Sequence, residues 1–449
     1  MLGIGGIGMS ALARYFISEG KHVAGYDRTA TPITQSLSRE GADIHFFESP
    51  EWVKEKYTDI ERLLVIYTPA IPDDHTELIF FRENNFKLFK RAEVLGMITR
   101  EKKCLAVAGT HGKTTISTMI AHLFATADLS SSALLGGISR NYETNAIIRK
   151  DSEWVITEAD EYDRSFLQLN PTTAVITSCD ADHLDIYGSE KELKKAFGQF
   201  ISRINPGGTL LIKYDLDLEL PGRTDLQYLT YSMEDSRADF YAGNIRLEDR
   251  FYHFSVSMPG GLTLDLKNGY PGKINVENAV AMAAIGYLND IDEDIIRRAL
   301  ETFTGVKRRF DIQVEKEDMV YIDDYAHHPK ELEEFIHSVR AMYPHRSITG
   351  IFQPHLYSRT KDLAEGFAGS LSNLDELILL EIYPAREKPI EGVTSELIYN
   401  KVSTSHKVMC RKDEIMKLLK ERNPEILLTM GAGDIDQLVE PIRLWINTR

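Results

Sequence analysis

Three glycine-rich turns, each of which opens a helical pattern, constrain the fold of this chain more than any other feature. They occupy residues 3–8, 109–115 and 431–434. Short apolar runs alternate with amphipathic stretches along most of the sequence, which is typical of strands that alternate with helices. Strands and helices in alternation form parallel sheets covered by helices. The sequence therefore predicts an α/β fold with mainly parallel sheets.

The length and the pattern together indicate three domains. A chain of 449 residues corresponds to about two to four domains of ordinary size. The strand–helix pattern restarts near residue 102 and again near residue 305. We expect domains at residues 1–99, 100–304 and 305–449, each with a mainly parallel sheet flanked by helices.

Charge and composition exclude several classes of function. The net charge is −16, and no run of lysine and arginine offsets it, so we expect no nucleic-acid partner. No apolar run reaches the roughly 18 residues of a membrane helix, so we expect no membrane partner. The three cysteines, Cys104, Cys179 and Cys410, have neither disulfide nor metal-ligand spacing, which fits a reducing cytoplasm. Monomer and homodimer both remain open.

The second turn carries the side chains of a triphosphate-binding loop. After the apolar run 105–108 it reads Gly109, Thr110, His111, Gly112, Lys113, Thr114 and Thr115. In such a loop the backbone amides hold phosphate oxygens, the lysine adds a positive charge, and the hydroxyl of Thr114 joins a magnesium shell. The first glycine stands three positions before Gly112 rather than the usual five. ATP or GTP binding is the favoured interpretation, and a chance turn is the alternative.

The first turn matches the pattern G-x-G-x-x-G of diphosphate-binding loops. Asp27 follows Gly8 by 19 residues, where an acid accepts a hydrogen bond from a ribose hydroxyl. A purely structural turn is the alternative. The pattern normally follows a complete strand, whereas this sequence begins two residues before Gly3, so the strand is absent or other residues fill its place. For the third turn, at Gly431 and Gly433, a structural turn with Asp434 as helix N-cap is favoured.

Acids follow two of the predicted strands in the middle domain. Glu158, Asp160 and Glu161 come directly after the run 154–157, and Glu158 is the favoured magnesium ligand of this set. His183 lies among aspartates after the next strand. Because hard cations prefer oxygen ligands, chemistry alone would select an aspartate there, and His183 would be a loop histidine.

The third domain contributes a polar cluster and cations. Asp323, Asp324, Tyr325, His327 and His328 follow the run 320–322. Arg359 follows the next strand, and its guanidinium can bind a carboxylate through two parallel hydrogen bonds. Arg308 belongs to a basic segment that would meet a phosphate, with a basic linker as the alternative. These residues indicate an ATP-dependent ligase or ATPase acting on a nucleotide-linked anion.

The motifs, in this order along nearly the whole chain, closely resemble those of the Mur ligase family. They are Gly5-Gly-Ile-Gly-Met-Ser-Ala-Leu-Ala13, Gly109-Thr-His-Gly-Lys-Thr-Thr115, Glu158-Ala-Asp-Glu161, Asp182-His-Leu-Asp185, Asp323-Asp-Tyr-Ala-His-His-Pro329 and Phe352-Gln-Pro-His355. The resemblance implies a Rossmann-like UDP-sugar domain, a P-loop ATPase-like central domain and a Rossmann-like amino-acid domain. It implies that ATP phosphorylates the lactyl carboxylate of UDP-N-acetylmuramate and that L-alanine then attacks.

The resemblance also implies a role for individual residues. Lys113, His327 and Arg359 would be catalytic. The following residues would bind ATP: Gly109, Thr110, His111, Gly112, Lys113, Thr114, Thr115, Asn278 at adenine, Arg308 at the γ-phosphate and Asp324 at the ribose. Gly5, Gly6, Ile7, Gly8, Asp27 and His111 would bind the UDP sugar. Tyr325, His327 and Arg359 would hold L-alanine. Thr114, Glu158 and His183 would bind Mg²⁺, with Mn²⁺ as the alternative, which overrides the oxygen-only preference at His183.

The sequence departs from the family in lacking the first strand at its amino terminus and at two further places. Ile274 stands where many relatives have histidine, and Phe197 and Gly198 occupy the stretch where several carry a carbamylated lysine. A ligase that joins an intact tripeptide to the same UDP sugar is the nearest rival, and a folylpolyglutamate synthase is a more distant one. A nicotinamide dehydrogenase would leave residues 109–115 unused, and a nucleotide sensor would release no phosphate.

Overall fold

The computed structural model describes residues 1–57, 59–181, 184–385 and 387–449. The strands are β1 (Ala24–Tyr26), β2 (Asp43–His45), β3 (Val65–Tyr67), β4 (Leu88–Lys90), β5 (Lys103–Ala108), β6 (Ser131–Ser139), β7 (Thr144–Ile147), β8 (Trp154–Ala159), β9 (Thr173–Ile176), β10 (Thr209–Lys213), β11 (Gln227–Ser232), β12 (Phe240–Glu248), β13 (Phe251–Ser257), β14 (Thr263–Lys267), β15 (Asp311–Glu315), β16 (Val320–Asp324), β17 (Ile348–Phe352), β18 (Glu376–Leu379), β19 (His406–Met409) and β20 (Ile426–Met430).

The helices follow the same order. They are α1 (Ile7–Ser18), α2 (Pro32–Arg39), α3 (Pro50–Lys56), α4 (Thr76–Glu83), α5 (Arg91–Arg100), α6 (Lys113–Thr126), α7 (Leu184–Tyr187), α8 (Glu190–Ile201), α9 (Ile274–Leu288), α10 (Glu293–Thr302), α11 (Pro329–Met342), α12 (Tyr357–Leu371), α13 (Glu396–Tyr399), α14 (Ile415–Arg422) and α15 (Val439–Asn447). Within the described ranges no helix combines the length and the apolar character needed to cross a lipid bilayer.

Contact density divides the chain into two compact units. The first unit comprises Met1–Asn244, Phe254–Lys267 and Glu277–Thr304, and the second comprises Ile245–His253, Asn268–Val276 and Gly305–Arg449. The strands form one sheet in the order β14-β13-β12-β11-β10-β9-β5-β8-β6-β7, another in the order β15-β16-β20-β17-β18-β19, and two short sheets, β1-β2 and β3-β4.

The start of the chain takes the place of a strand between the two short sheets. β1 pairs in parallel with β2, and β3 pairs in parallel with β4. Leu2 forms parallel bridges to both Tyr26 and Tyr67, and its amide donates to the carbonyl of Ile66. The amide of Tyr26 in turn donates to the carbonyl of Met1. These two residues therefore satisfy backbone groups of β1 and β3 and lead directly into the first glycine-rich turn.

The long sheet delivers the second turn to the carboxyl ends of its central strands. β5 lies between β8 and β9 and is parallel to both. From Cys104 to Ala108 every residue of β5 is buried, as expected of a parallel strand covered on both faces. The turn 109–112, the acids after β8 and the polar residues after β9 consequently leave the sheet at one edge, where ligands of α/β proteins bind.

The six-stranded sheet has the same design in the second unit. β16, β20, β17, β18 and β19 pair in parallel, and only β15 runs antiparallel, along β16. All five residues of β16 are buried, and the segment that begins with Asp324 leaves the sheet at its carboxyl edge. The predicted α/β class with mainly parallel sheets is therefore confirmed.

Short alternating runs within residues 215–272, such as 252–256, predict antiparallel strands. That prediction is wrong for β11, which pairs in parallel with β10. The connection between them, residues 214–226, is long enough for a crossover, whereas alternation of apolar residues carries no information on strand direction.

Candidate active site

The turn after β5 has a backbone that only glycine adopts without strain. Gly109 has a φ of 134° and Gly112 has a φ of 81°. A Cβ atom at Gly109 would also collide with the hydroxyl of Thr177. α6 begins immediately afterwards, at Lys113, so the amides of its first turn lack partners within the helix. This helix start provides N–H donors and a partial positive charge for phosphate.

Two side chains at the end of β9 fix the shape of this turn. The hydroxyl of Ser178 accepts a hydrogen bond from the His111 amide at 2.8 Å and lies 3.0 Å from the hydroxyl of Thr110. The hydroxyl of Thr177 donates to the carbonyl of His111. Neither residue was predicted, although both stand where a parallel strand ends. The turn is therefore rigid before any ligand arrives.

The ammonium group of Lys113 is fully engaged. It donates to the carbonyl of Gly109 at 2.6 Å and to Oε1 and Oε2 of Glu161 at 2.9 and 2.8 Å. Burial alone would lower the pKa of Lys113, but the carboxylates of Glu161, Asp160 and Glu158 outweigh it and raise the pKa above its usual value. The lysine therefore remains a cation in the protein interior.

Thr114 and Glu158 meet beside this lysine. The hydroxyl of Thr114 hydrogen bonds to the Glu158 carboxylate, which also accepts from the amide of Gly136 at 2.8 Å. Burial raises the pKa of Glu158, and the charge of Lys113 opposes that effect. A Cβ atom at position 136 would overlap the carboxylate, so glycine is required there. Thr114 and Glu158 together offer a hydroxyl oxygen and carboxylate oxygens, which are the ligands that Mg²⁺ prefers, so these two side chains fit that ion.

His183, the other predicted metal ligand, lies outside the described residues. Among the residues that are described, no three His, Cys, Asp or Glu side chains converge as a metal-binding group. Thr114 and Glu158 are therefore the described part of the predicted metal site.

Asn278, near the start of α9, lies against the same loop. It is buried, and a Cβ atom at Gly112 would be 3.3 Å from its Oδ1. The structure thus brings the predicted adenine contact to the loop that carries Lys113. On another side of this loop, the ring Nε2 of His111 is 3.5 Å from Oδ2 of Asp180.

In the first turn, the predicted ribose contact binds the turn itself. Oδ2 of Asp27 accepts from the amide of Gly5 at 2.7 Å, and its Oδ1 accepts from the amide of Thr29 at 3.3 Å. Gly6, Ile7 and Gly8 lead into α1 without a charged side chain. Arg91, which was not predicted, supplies the positive charge: its Nη1 lies 2.7 Å from where a Cβ of Gly8 would be, and its Nη2 is 3.4 Å from Asp160.

In the second unit, Asp324 is buried at the carboxyl end of β16. Its Oδ2 accepts from the amide of Phe310 at 2.6 Å and its Oδ1 from the amide of Ala326 at 2.7 Å. Burial, opposed by Arg309 and these two amides, raises the pKa of Asp324 to about 7. The predicted ribose contact is therefore a carboxyl group that titrates near neutral pH.

Arg308 is held beside the neighbouring carboxylate, Asp323, in a conformation that non-glycine residues rarely adopt. Its φ is 64°. Its Nε donates to Asp323 at 3.2 Å and its Nη2 donates to the carbonyl of Gly431 at 2.7 Å. Its guanidinium also lies 5.2 Å from the centre of the Tyr325 ring. These contacts orient the cation that was predicted to approach the γ-phosphate.

Of the three residues predicted to bind L-alanine, Tyr325 and His327 lie next to each other. The rings of Tyr325 and His327 are 5.3 Å apart, and His355 is 6.1 Å from His327. Nδ1 of His327 is 3.0 Å from the carbonyl oxygen of Tyr325 and 3.4 Å from Oε2 of Glu331. Arg359 stands in the first turn of α12, four residues after His355, and is half-buried.

At the third glycine-rich turn, the predicted N-cap is wrong. A 3-10 helix spans Asp434–Leu438, and its N-cap is Gly433. The carboxylate of Asp434 instead accepts from the Gln353 amide at 2.8 Å and pairs with Lys412. Gly433 has no room for a side chain because Gln353 and Tyr383 pack against it.

Comparison with known proteins places these features in one family. The profile described as the Mur ligase family catalytic domain matches residues 1–103. The Mur ligase middle domain matches residues 107–286, and the Mur ligase glutamate ligase domain matches residues 308–433. The chain belongs to the Mur ligase family. The fold and motif order described above are those of a Mur ligase.

Three similar proteins that align along nearly the whole chain are UDP-N-acetylmuramate–alanine ligases. The UDP-N-acetylmuramate–L-alanine ligase of Parabacteroides distasonis is 48% identical over 442 residues, which cover 98% of this chain and 96% of that protein. That of Phocaeicola vulgatus is 47% identical over 449 residues, covering 100% and 98%. The crystal structure of the UDP-N-acetylmuramate-alanine ligase of Thermotoga maritima has a TM-score of 0.83 and 26% identity, and the alignment covers 100% and 99% of the two chains.

Proposed function

We propose that this Mur ligase joins L-alanine to the lactyl carboxylate of UDP-N-acetylmuramate, with ATP converted to ADP and phosphate. The observation that carries the reaction type is Lys113, a half-buried cation in a rigid phosphate-binding turn, next to the oxygen ligands of Thr114 and Glu158. The names of the full-length relatives support the choice of substrates. We place this reaction in the cytoplasm, as a step of peptidoglycan precursor synthesis.

The reaction proceeds in two balanced steps. A carboxylate oxygen of the muramoyl group attacks the γ-phosphorus of ATP and ADP leaves, which forms an acyl phosphate. The amine nitrogen of L-alanine then attacks the acyl carbon, phosphate leaves, and the amine proton passes to a base. Lys113 and the amides at the start of α6 stabilise the phosphate charge as it moves. Mg²⁺, or Mn²⁺, held by Thr114, Glu158 and His183 would supply further neutralisation of that charge.

We assign the remaining ATP contacts as follows. Gly109, Thr110, His111, Gly112 and Thr115 line the phosphates together with Lys113. Asn278, which lies against Gly112, binds adenine. Asp324 binds the ribose and Arg308 approaches the γ-phosphate. The contacts of Arg308 with Asp323 and Gly431 support this role because they hold the guanidinium in one orientation before a ligand arrives.

His327 is the proposed base for the amine of L-alanine. Its Nδ1 lies beside the carbonyl oxygen of Tyr325, which only accepts, so Nδ1 carries a proton and Nε2 is the acceptor of the ring. Glu331 lies beside the same Nδ1–H and stabilises the protonated ring. Arg359 binds the carboxylate of L-alanine, and Tyr325 forms part of the pocket wall.

The UDP sugar is assigned to the first glycine-rich turn. Gly5, Gly6, Ile7 and Gly8 approach the diphosphate, Asp27 binds the ribose, and His111 lies near the muramoyl group. Arg91 beside Gly8 adds the positive charge that this turn lacks. With these assignments we propose three domains, at residues 1–99, 100–304 and 305–449.

Phosphate release tests this proposal. Purified protein receives ATP, Mg²⁺ and UDP-N-acetylmuramate, together with L-alanine, glycine, L-serine or the tripeptide that a recycling ligase would use. We expect ADP formation with L-alanine and a much weaker signal with the tripeptide. Release with the tripeptide alone would identify the recycling activity instead, and no ADP with any amine would refute the proposal.

A further inference from the structure

Glu161 stands outside every role assigned above, although both of its carboxylate oxygens contact Lys113 in the proposed nucleotide site. Its side chain is only 1% exposed, and both of its carboxylate oxygens bind the ammonium group of Lys113. An ammonium group has three N–H donors. The carbonyl of Gly109 takes one of these donors and Glu161 takes the other two.

We propose that Glu161 is a latch that competes with the nucleotide phosphates for Lys113. All three donors of the lysine are used within the protein, so a phosphate oxygen gains a hydrogen bond from Lys113 only when an existing partner gives one up. The carbonyl of Gly109 is part of the rigid turn, whereas the Glu161 carboxylate ends a flexible side chain. Glu161 is therefore the partner that yields. This inference rests on the proposed binding of ATP by Lys113.

The surroundings of Glu161 restrict the movement to its side chain. The backbone carbonyl of Glu161 accepts from the hydroxyl of Tyr187 at 2.5 Å and from the amide of Arg164 at 3.0 Å. These two bonds anchor the main chain while the carboxylate changes partner. A second acid, Glu158, is already held by Gly136 and Thr114, so it does not replace Glu161 at the lysine.

The latch penalises weakly charged ligands. A buried carboxylate that loses its cation pays a free-energy cost, so Lys113 transfers only to a group with greater negative charge. A triphosphate offers more charge at this position than a diphosphate does. When ADP remains after the reaction, the return of Glu161 to Lys113 favours its release. The latch thus favours ATP over ADP.

Nucleotide affinity of the full chain tests the latch. Calorimetric titrations with Mg-ADP and with a non-hydrolysable ATP analogue compare wild type, Glu161→Gln and Glu161→Asp. Because glutamine removes a charge-assisted bond, we expect Glu161→Gln to bind ADP about tenfold more tightly. Glu161→Asp keeps the charge but is too short for both contacts, so we expect an intermediate gain, and it carries the test if the glutamine variant does not fold.

Asp160→Asn is the matched control. It removes the same charge one residue away. The Asp160 carboxylate acts on Lys113 only through its charge, because its hydrogen bonds come from Arg91 and from the amide of Tyr162. We expect its ADP affinity to change less than about twofold. Equal gains in Asp160→Asn and Glu161→Gln would reduce the effect to general charge removal and overturn the latch. Unchanged or weaker ADP binding by both Glu161 variants would also overturn it. If wild type itself bound neither nucleotide, the proposed ATP site would fail as well.

Discussion

The two glycine-rich turns of the first unit share a local shape but differ in what they offer a ligand. Both lead from a strand position into a helix, α1 in one case and α6 in the other. The turn at residues 109–115 contributes a half-buried side-chain cation, Lys113, that is bound to the buried Glu161. The turn at residues 3–8 has no charged side chain, and its Gly5 amide is bound to Asp27.

This difference shows how the same glycine-rich turn before a helix can suit two different phosphate ligands. A triphosphate that transfers its terminal group needs a cation that follows the moving charge, and Lys113 meets that need. The diphosphate of a sugar nucleotide is only held, for which amides and the nearby Arg91 suffice. In both turns a donor of the turn is hydrogen bonded to an acid of the protein, the Gly5 amide to Asp27 and Lys113 to Glu161. The two turns are thus predicted to respond differently to the same kind of substitution.

The largest expected effect is that of Lys113→Ala. Loss of the only cation in the second turn removes transition-state stabilisation, so we expect kcat for ADP formation to fall by about 10³-fold or more. Lys103→Ala, at the exposed start of β5, is the matched control and should keep normal turnover. Unfolding by urea checks that both variants are folded, because Glu161 loses its partner in the first. Turnover within a few-fold of wild type would remove Lys113 from the reaction.

Alanine in place of glycine distinguishes the backbones of the two turns. Gly109 has a φ of 134° and no space for a Cβ atom, so we expect Gly109→Ala to lower the free energy of unfolding by about 3 kcal/mol. Gly6 has a φ of −62°, and a Cβ atom added there would lie 3.4 Å from its nearest neighbour, the carbonyl oxygen of Gly3. We therefore expect Gly6→Ala to cost less than about 0.5 kcal/mol. Equal costs in urea unfolding would mean that the two turns do not differ in strain.

The positions of many site residues could be predicted from the sequence, because the end of a strand is marked by residues close together in the chain. The start of α6 at Lys113 agrees with the sequence pattern, since glycine followed by Lys-Thr-Thr after a buried strand marks that transition. The acids at the end of β8 and the polar cluster at the end of β16 also lie at carboxyl ends of parallel strands, as expected.

The partners of these residues were not readable in the same way. Glu158 and Glu161 are three residues apart, and nothing in their spacing shows that the second binds Lys113 while the first binds Thr114. Thr177 and Arg91 reach the turns from other strands and helices, so their roles depend on register and packing. The direction of β11 was also misjudged, because alternation marks a strand but not its neighbour.

Arg359→Ala tests whether L-alanine binds independently of the two substrates that are assigned to the glycine-rich turns. Loss of a two-bond contact with the substrate carboxylate should raise the KM for L-alanine by about 10- to 30-fold. The KM values for ATP and for UDP-N-acetylmuramate should change less than about twofold. Lys361→Ala, an exposed residue on the same helix, is the control. A KM for L-alanine that stays at the wild-type value would remove Arg359 from the amine pocket.

The smallest expected effect is that of Asp27→Asn, which completes the comparison from the side of the first turn. The change removes the charge that is proposed to bind a ribose hydroxyl, so the KM for UDP-N-acetylmuramate should rise about tenfold. The KM for ATP should stay the same, because ATP binds the second turn. Asp43→Asn, on β2 and paired with exposed Lys56, is the control. If Asp27→Asn changed the KM for ATP instead, the assignment of one substrate to each turn would be wrong, and the first turn would bind ATP.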